Sequence, residues 1–234
     1  MISGAPSLAH PFGTDQFSRD LLSRVMFGAR VSLGVAGLSV ALATLLGTMV
    51  GVVAGFAGGA TDTLLMRTVD ALLAIPRVLL LVAVVGLFGR LGVATLVLLL
   101  AATGWMGVAR LVRAEARAAA SRDHVLAARA LGADGRRILL HHVLPACLTP
   151  ALVAATLNVP SAIALEAGLS YLGLGVQPPF ASWGTLVQDG VDWIPQGWWI
   201  SIAPGIGIVA VMLACTTLGD ALRDALDPRE LSRR

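Results

Sequence analysis

Lysine is missing from this chain; all 17 basic residues are arginine. A nucleotide-binding loop of the G-x-x-x-x-G-K-[ST] type needs its lysine against the β- and γ-phosphates. Hydrolysis through such a loop is therefore excluded here, as is Schiff-base chemistry, and any nucleotide-driven work needs a separate chain. Charge of either sign is scarce, at 13% of the 234 residues, where soluble domains carry about 25%. Hydrophobic residues make up 56%, a balance that points to a bilayer. There are only two cysteines, Cys147 and Cys215, both inside apolar runs, and they read as small core residues rather than a disulfide framework. Residues 1–18 lack the basic start and apolar stretch of a secretory signal.

A membrane helix needs about 20 mostly apolar residues. Windows free of Asp, Glu and Arg run over Val31–Thr61, Leu91–Ala109, Ile138–Leu165 and Trp193–Gly219. A fifth, Leu64–Leu87, is interrupted by Arg67, Asp70 and Arg77. The expectation is an all-α membrane protein with five spans, near 31–57, 64–88, 91–110, 146–170 and 198–219. Arginine is enriched on the cytoplasmic side of membrane proteins. The segment 110–142 holds seven Arg, and Arg223, Arg229, Arg233 and Arg234 close the chain, whereas 173–197 has no basic residue. The loop 111–145 and the tail 222–234 are thus expected inside and the loop 173–197 outside. Parity then puts the N-terminus outside. In residues 1–28, Phe17, Leu21, Leu22, Val25 and Met26 recur at helical spacing, with Asp15 or Thr14 available as a cap. They predict an amphipathic helix in the interface before the first span.

Gly47, Gly51, Gly55 and Gly59 recur every four residues, a smooth face that lets another helix approach closely. It serves either a subunit interface or intramolecular packing. Pro76 and Pro160 fall within spans and should kink them. Glu166, near the outer end of the fourth span, is a functional candidate by position; its structural alternative is hydration or pairing with Arg. In the outer loop, Trp198 and Trp199 fit an interfacial aromatic belt. Trp183 and Trp193 either meet an external partner or cap the bundle.

Between the third and fourth spans stands "AARALGADGRRILLHHVLP". Leu126–Leu131 favours helix, Gly132 supplies a stop, Asp134 can cap the next helix and Pro145 marks re-entry into the membrane. The result is a short helix–turn–helix whose Arg residues face water or lipid phosphate. Leu126, Ala130, Leu131 and Leu139 offer a small apolar surface for docking. His141 and His142 adjoin no ligand-spaced His/Glu partner, His10 and His124 are isolated, and Ser170 lacks an evident base, which argues against a membrane-embedded enzyme.

This stretch resembles the EAA loop of ABC importer permeases, whose pattern is E-A-A, three residues, G, nine residues and I-x-L-P. Leu126-Ala127-Ala128 stands at E-A-A with Leu for Glu, Gly132 fits, and His142-Val143-Leu144-Pro145 closes the motif. "HPFGTDQFSRDLLSRVMFGARVSL", "EAGLSYLGLGVQPPFASWG" and "LGDALRDALDPR" are similar to the dipeptide/oligopeptide/nickel branch of that family. The resemblance implies the type I ABC importer fold, a second permease subunit, two cytoplasmic ABC ATPases holding ATP and Mg, and an external solute-binding protein. It implies no cofactor, metal or nucleic acid for this chain, and a multi-pass place in the cell inner membrane. It gives the ATPase-coupling role to Leu126, Ala127, Ala128, Arg129, Ala130, Leu131, Gly132, Ala133, Asp134, Arg136, Arg137, Leu144 and Pro145. Members of the branch carry a helix before the "GTD" segment, so the expectation is that Met1 is a late start or the chain a shortened form. The competing reading, a secondary transporter or channel, calls for ionisable groups near the midplane, where only Arg77 is a candidate.

Overall fold

In lipid the backbone must satisfy its own hydrogen bonds, and long apolar stretches do so as helices. The structure, a computed structural model, describes residues 4–89 and 92–226. Its helices are α1 (Leu21–Ala57), α2 (Gly59–Leu73), α3 (Arg77–Phe88), α4 (Val93–Ala102), α5 (Trp105–Ala120), α6 (Asp123–Ala130) and α7 (Gly135–Ile138). A π-helical turn (Leu139–Val143) leads into α8 (Leu144–Tyr171), followed by α9 (Trp183–Val191), α10 (Ile194–Gly197) and α11 (Trp199–Leu226). Among the described residues there is no strand, only an isolated bridge between Thr14 and Asp20.

Among the described residues three stretches, Leu21–Ala57, Gly135–Tyr171 and Trp199–Leu226, are long and apolar enough to cross a membrane, or up to five if each interrupted pair counts as one span. The second expected span, 64–88, is such a pair. Helix α2 stops at Leu73 and α3 starts at Arg77, because Pro76 lacks an amide hydrogen and disfavours helix in the residue before it. By contrast α8 runs through Pro150 and Pro160 without interruption. The third expected span, 91–110, is also two helices, and α5 carries on to Ala120. Most of the expected loop 111–145 is therefore helical. Arg90, Leu91, Arg229, Arg233 and Arg234 lie outside the described residues.

Among the described residues there is no separate interfacial helix of the kind expected within 1–28. Residues 4–20 are irregular, and α1 runs without a break for 37 residues from Leu21, about 55 Å at 1.5 Å per residue. Its cap is Asp20, not Asp15 or Thr14: Asp20 Oδ2 accepts from the Ser23 amide at 2.8 Å and the Ser23 hydroxyl at 2.7 Å. Buried Asp15 instead accepts from Arg19 Nε at 2.7 Å and Arg24 Nη1 at 2.8 Å. Burial pushes its carboxyl up, but hydrogen bonds from the Arg19 amide and guanidinium and the Phe17 amide outweigh this and hold it below the usual range.

The chain forms two compact units, one from 4–39, 78–89, 92–100 and 159–216, the other from 40–77, 101–158 and 217–226. The first has a core of Val35, Leu81, Leu96, Leu100 and Leu169 and another around Leu21, Trp183, Leu186 and Ile200. The core of the second joins Val52, Val112, Ala116 and Ala119 to Val125, Ile138, Val143 and Cys147.

Candidate coupling site and the packing behind it

Helix α6 ends at Ala130, and Gly132 turns the chain with φ +86°, a conformation that costs other residues about 1–2 kcal/mol. Asp134 sits at the N-cap of α7, yet its side chain makes no capping hydrogen bond. Anchoring is apolar: Val125, Ile138 and Val143 are fully buried against α5. The opposite side is open. Leu131 is 89% exposed and Leu126 47%, while Ala127, Arg129, Ala130, Gly132, Asp134, Arg136, Arg137 and Pro145 are also exposed. Ala128, Ala133 and Leu144 are half-buried. Leu139, expected on the exposed apolar surface, packs against the core instead, and Leu140 is the exposed neighbour.

The π turn ends beside Pro145, whose ring crowds the carbonyl of His141, four residues back, and the Leu144 amide reaches Leu139 O, five residues back. His141 Nδ1 lies 3.2 Å from Arg137 O, and the His124 and His142 rings are 5.9 Å apart.

Behind this elbow, α5 packs closely on α1. A Cβ on Gly47, Gly51 or Gly55 would stand 2.6 Å from the carbonyl oxygens of Trp105, Ala109 and Arg113 respectively. The stripe thus serves intramolecular packing. Gly59 does not belong to it: it opens α2 with φ +55°, and nothing lies near its Cβ position. Along α5, Arg110, Arg113 and Arg117 recur on one helical face. Arg113 grips Asp62 of α2 through Nε and, at 2.7 Å, through Nη2, Arg117 Nη2 adds a contact at 3.0 Å, and Arg110 pairs with Asp70. The sequence reading missed this ladder, although its signal was the spacing of three Arg opposite two Asp. Arg77 Nε donates to Thr103 Oγ1 at 3.1 Å.

In the other unit Glu166 is fully buried, and its side-chain partners among the described residues are two serines rather than an Arg. Ser32 Oγ donates to its Oε2 at 2.8 Å and Ser170 Oγ to its Oε1 at 2.7 Å. Those hydroxyls accept in turn from the amides of Trp183 and Val176, both at 3.1 Å. Trp183 is not an external contact, being 4% exposed with Nε1 donating to Val25 O at 2.9 Å. It opens α9, whose N-terminus carries a capping box of Ser182 and Thr185. Trp193 is 40% exposed and available. Of the expected belt, Trp198 is exposed, while Trp199 Nε1 donates to Thr14 O at 3.2 Å.

Residues 47–232 match the family model for the binding-protein-dependent transport system inner membrane component. The chain belongs to that family. This permease is 41% identical over 225 residues to the dipeptide transport system permease protein DppC of Bacillus subtilis, covering 96% of this chain and 70% of that one. It is 42% identical over 217 residues to the di/tripeptide transport system permease protein DppC of Pseudomonas aeruginosa, covering 93% and 71%. Against the oligopeptide permease OppC of B. subtilis the identity is 40% over 224 residues, covering 96% and 73%. In fold it is similar to the inward-facing MetNI methionine ABC transporter, with TM-score 0.73, 18% identity and coverage of 90% and 99%. An amino acid ABC transporter with histidines gives 0.66 at 16% identity, covering 88% and 95%. The permease has the helical fold of ABC importer membrane subunits and is an inner-membrane component; the secondary-transporter reading is not favoured.

Proposed function

We propose that this permease forms, with a second related permease, the translocation path of an ATP-driven importer for di- or oligopeptides or a related small solute. The elbow over 126–140 is its coupling element. Two ATPase subunits dock beneath it and an external solute-binding protein delivers cargo. The peptide class is taken from relatives named for dipeptide and oligopeptide transport.

One observation carries the coupling role: Leu131 and Leu126 stand exposed on a helix–turn–helix whose other side is anchored by fully buried Val125 and Ile138. A flexible connector has no reason to be so held, and an apolar knob amid Arg129, Arg136 and Arg137 is the pattern of a partner anchor inside a polar rim. Closure of the ATPases on ATP moves the elbow, and the bundle alternates between outward and inward openings.

The test is co-purification of the complete complex with Leu131→Glu or Leu126→Glu in this chain. The ATPases should be lost while membrane insertion and pairing with the second permease persist. Retention of the ATPases with normal uptake by both variants would refute the coupling role. A ligand screen on the cognate binding protein identifies the cargo.

A further inference from the structure

Three structural facts converge on α5. Its Val112, Ala116 and Ala119 share a core with Val125, Ile138 and Val143 of the elbow. Its backbone carbonyls meet the glycine stripe of α1. Its arginine row holds α2, a 15-residue helix that buries little else: Met66 and Val69, packed with Ala54 and Met106. Helix α2 is also bounded by pliable ends, with Gly58 at φ +64° before it and the Pro76 break after it. Beside that apolar packing, the charge ladder ties side chains along α2 to α5.

The members of that ladder are not equal. The Asp62 side chain is 5% exposed and takes both arms of Arg113 as well as Arg117. Asp70 and Arg110 are each more than half exposed, at 57% and 51%, where screening by water leaves a pair little strength. A bidentate guanidinium–carboxylate pair also fixes orientation, which a single contact does not.

We propose that Asp62 is a positioning residue of the transport cycle: by holding Arg113 and Arg117 it locks α2 to α5, so that a displacement of the elbow reaches α2 instead of being lost as sliding between the two helices. This rests on the coupling role given above to the elbow.

The test uses the complete importer in liposomes, with a cysteine replacing exposed Gln188 in α9 as reporter. Its labelling by a membrane-impermeant maleimide is measured with and without ATP plus vanadate, alongside ATP hydrolysis. In the parent, nucleotide trapping should change the labelling rate. Asp62→Asn should hydrolyse ATP at the parent rate but lose that change, and Asp62→Glu, which keeps a carboxylate facing Arg113 and Arg117, should retain it. Asp70→Asn should behave as the parent. A parental response in Asp62→Asn, or an uncoupled Asp62→Glu, overturns the proposal. If Asp62→Asn does not assemble, Arg113→Gln is read in its place, and a parental response there overturns the proposal in the same sense. A parent indifferent to nucleotide instead overturns the coupling role itself, and the inference with it.

Discussion

Replacing Gly51 with valine tests the α1–α5 contact at its tightest point. A Cβ there would lie 2.6 Å from Ala109 O, 2.8 Å from Val112 Cβ and 3.0 Å from the Arg113 amide nitrogen, about 1 Å inside favourable van der Waals separation. Two of those neighbours are backbone atoms, so no rotamer change relieves the clash and the helices must part. Overpacking of this kind costs about 1–3 kcal/mol, and the few tenths that valine regains over glycine in helix propensity do not offset it. A net loss of about 2 kcal/mol shifts the folding equilibrium roughly thirtyfold and lowers the melting temperature by about 4–8 °C. Cys147 is a native reporter, fully buried with Sγ 3.9 Å from Val112 O. In a Cys215→Ser background a thiol-reactive dye therefore reads the opening of this core directly. Gly37→Ala is the control, on the same helix with nothing within 4 Å of its Cβ position; it should hold or raise stability by about 0.5–1 kcal/mol. If Gly51→Val melts with the parent, or Gly37→Ala falls as far, the stripe is not packed as described.

Gly132→Val meets no neighbour but must adopt φ +86°. About 1–2 kcal/mol of strain in the elbow should weaken co-purification of the ATPases while the Cys147 melt stays nearly parental. Glu166→Ala leaves the Ser32 and Ser170 hydroxyls without their acceptor, at about 1–3 kcal/mol for each buried group. Its melt should drop, hydrogen exchange at the Trp183 and Val176 amides should rise, and Glu166→Gln should fall between it and the parent. The Asp20 carboxyl is held at about 2, below its ordinary 3.8, by hydrogen bonds from the Ser23 hydroxyl, His10 and the Ser23 amide. A depressed value means that its stabilisation of the α1 start is complete above 3.8 and lost as pH falls through about 2. Helix content at the start of α1 should hold at pH 4 and fall toward pH 2, and Asp20→Asn should remove that dependence.

What was legible in the sequence is whatever a single helix decides for itself. Stretches without charge mark the spans because lipid tolerates little else, and Pro76 marks a break because proline cannot continue the backbone ladder. The elbow was readable from Gly132 and its flanking helix formers. What escaped was decided by partners remote in sequence. Ser32 and Glu166 are 134 residues apart, and no local pattern announces that a serine in one span will feed a glutamate in another. Residues 111–120 read as loop because Arg is frequent there, yet those arginines continue a helix whose acidic partners sit about fifty residues earlier. Trp183 looked like a loop aromatic. The S-x-x-T pair at 182–185 was the available sign that a helix starts there, but the burial of Trp183 is decided by Val25 and the other partners remote in sequence.

Two of the buried acids of this permease, Asp62 and Glu166, show why position dictates the partner. Asp62 borders the charge-free window of α1, where Arg113 and Arg117 can reach it while Arg117 stays half exposed; there an ion pair avoids most of the desolvation cost of full burial. Glu166 lies inside an apolar stretch where a guanidinium would be costly, and two serine hydroxyls serve instead. An amide N–H can only donate, so each serine oxygen accepts from the backbone and sends its own proton to the carboxyl group. Both carboxyl oxygens therefore act as acceptors, and the network ties α1, α8 and the start of α9 through hydroxyls and amides. Amide substitutions at the two sites should accordingly fail differently. Asp62→Asn strips two guanidiniums of their neutralising charge, whereas Glu166→Gln presents an NH₂ group to a hydroxyl already committed as a donor. The first defect should be partly rescued by added anions and the second should not respond to salt. Equal salt responses would show that Glu166 is held by a charge after all.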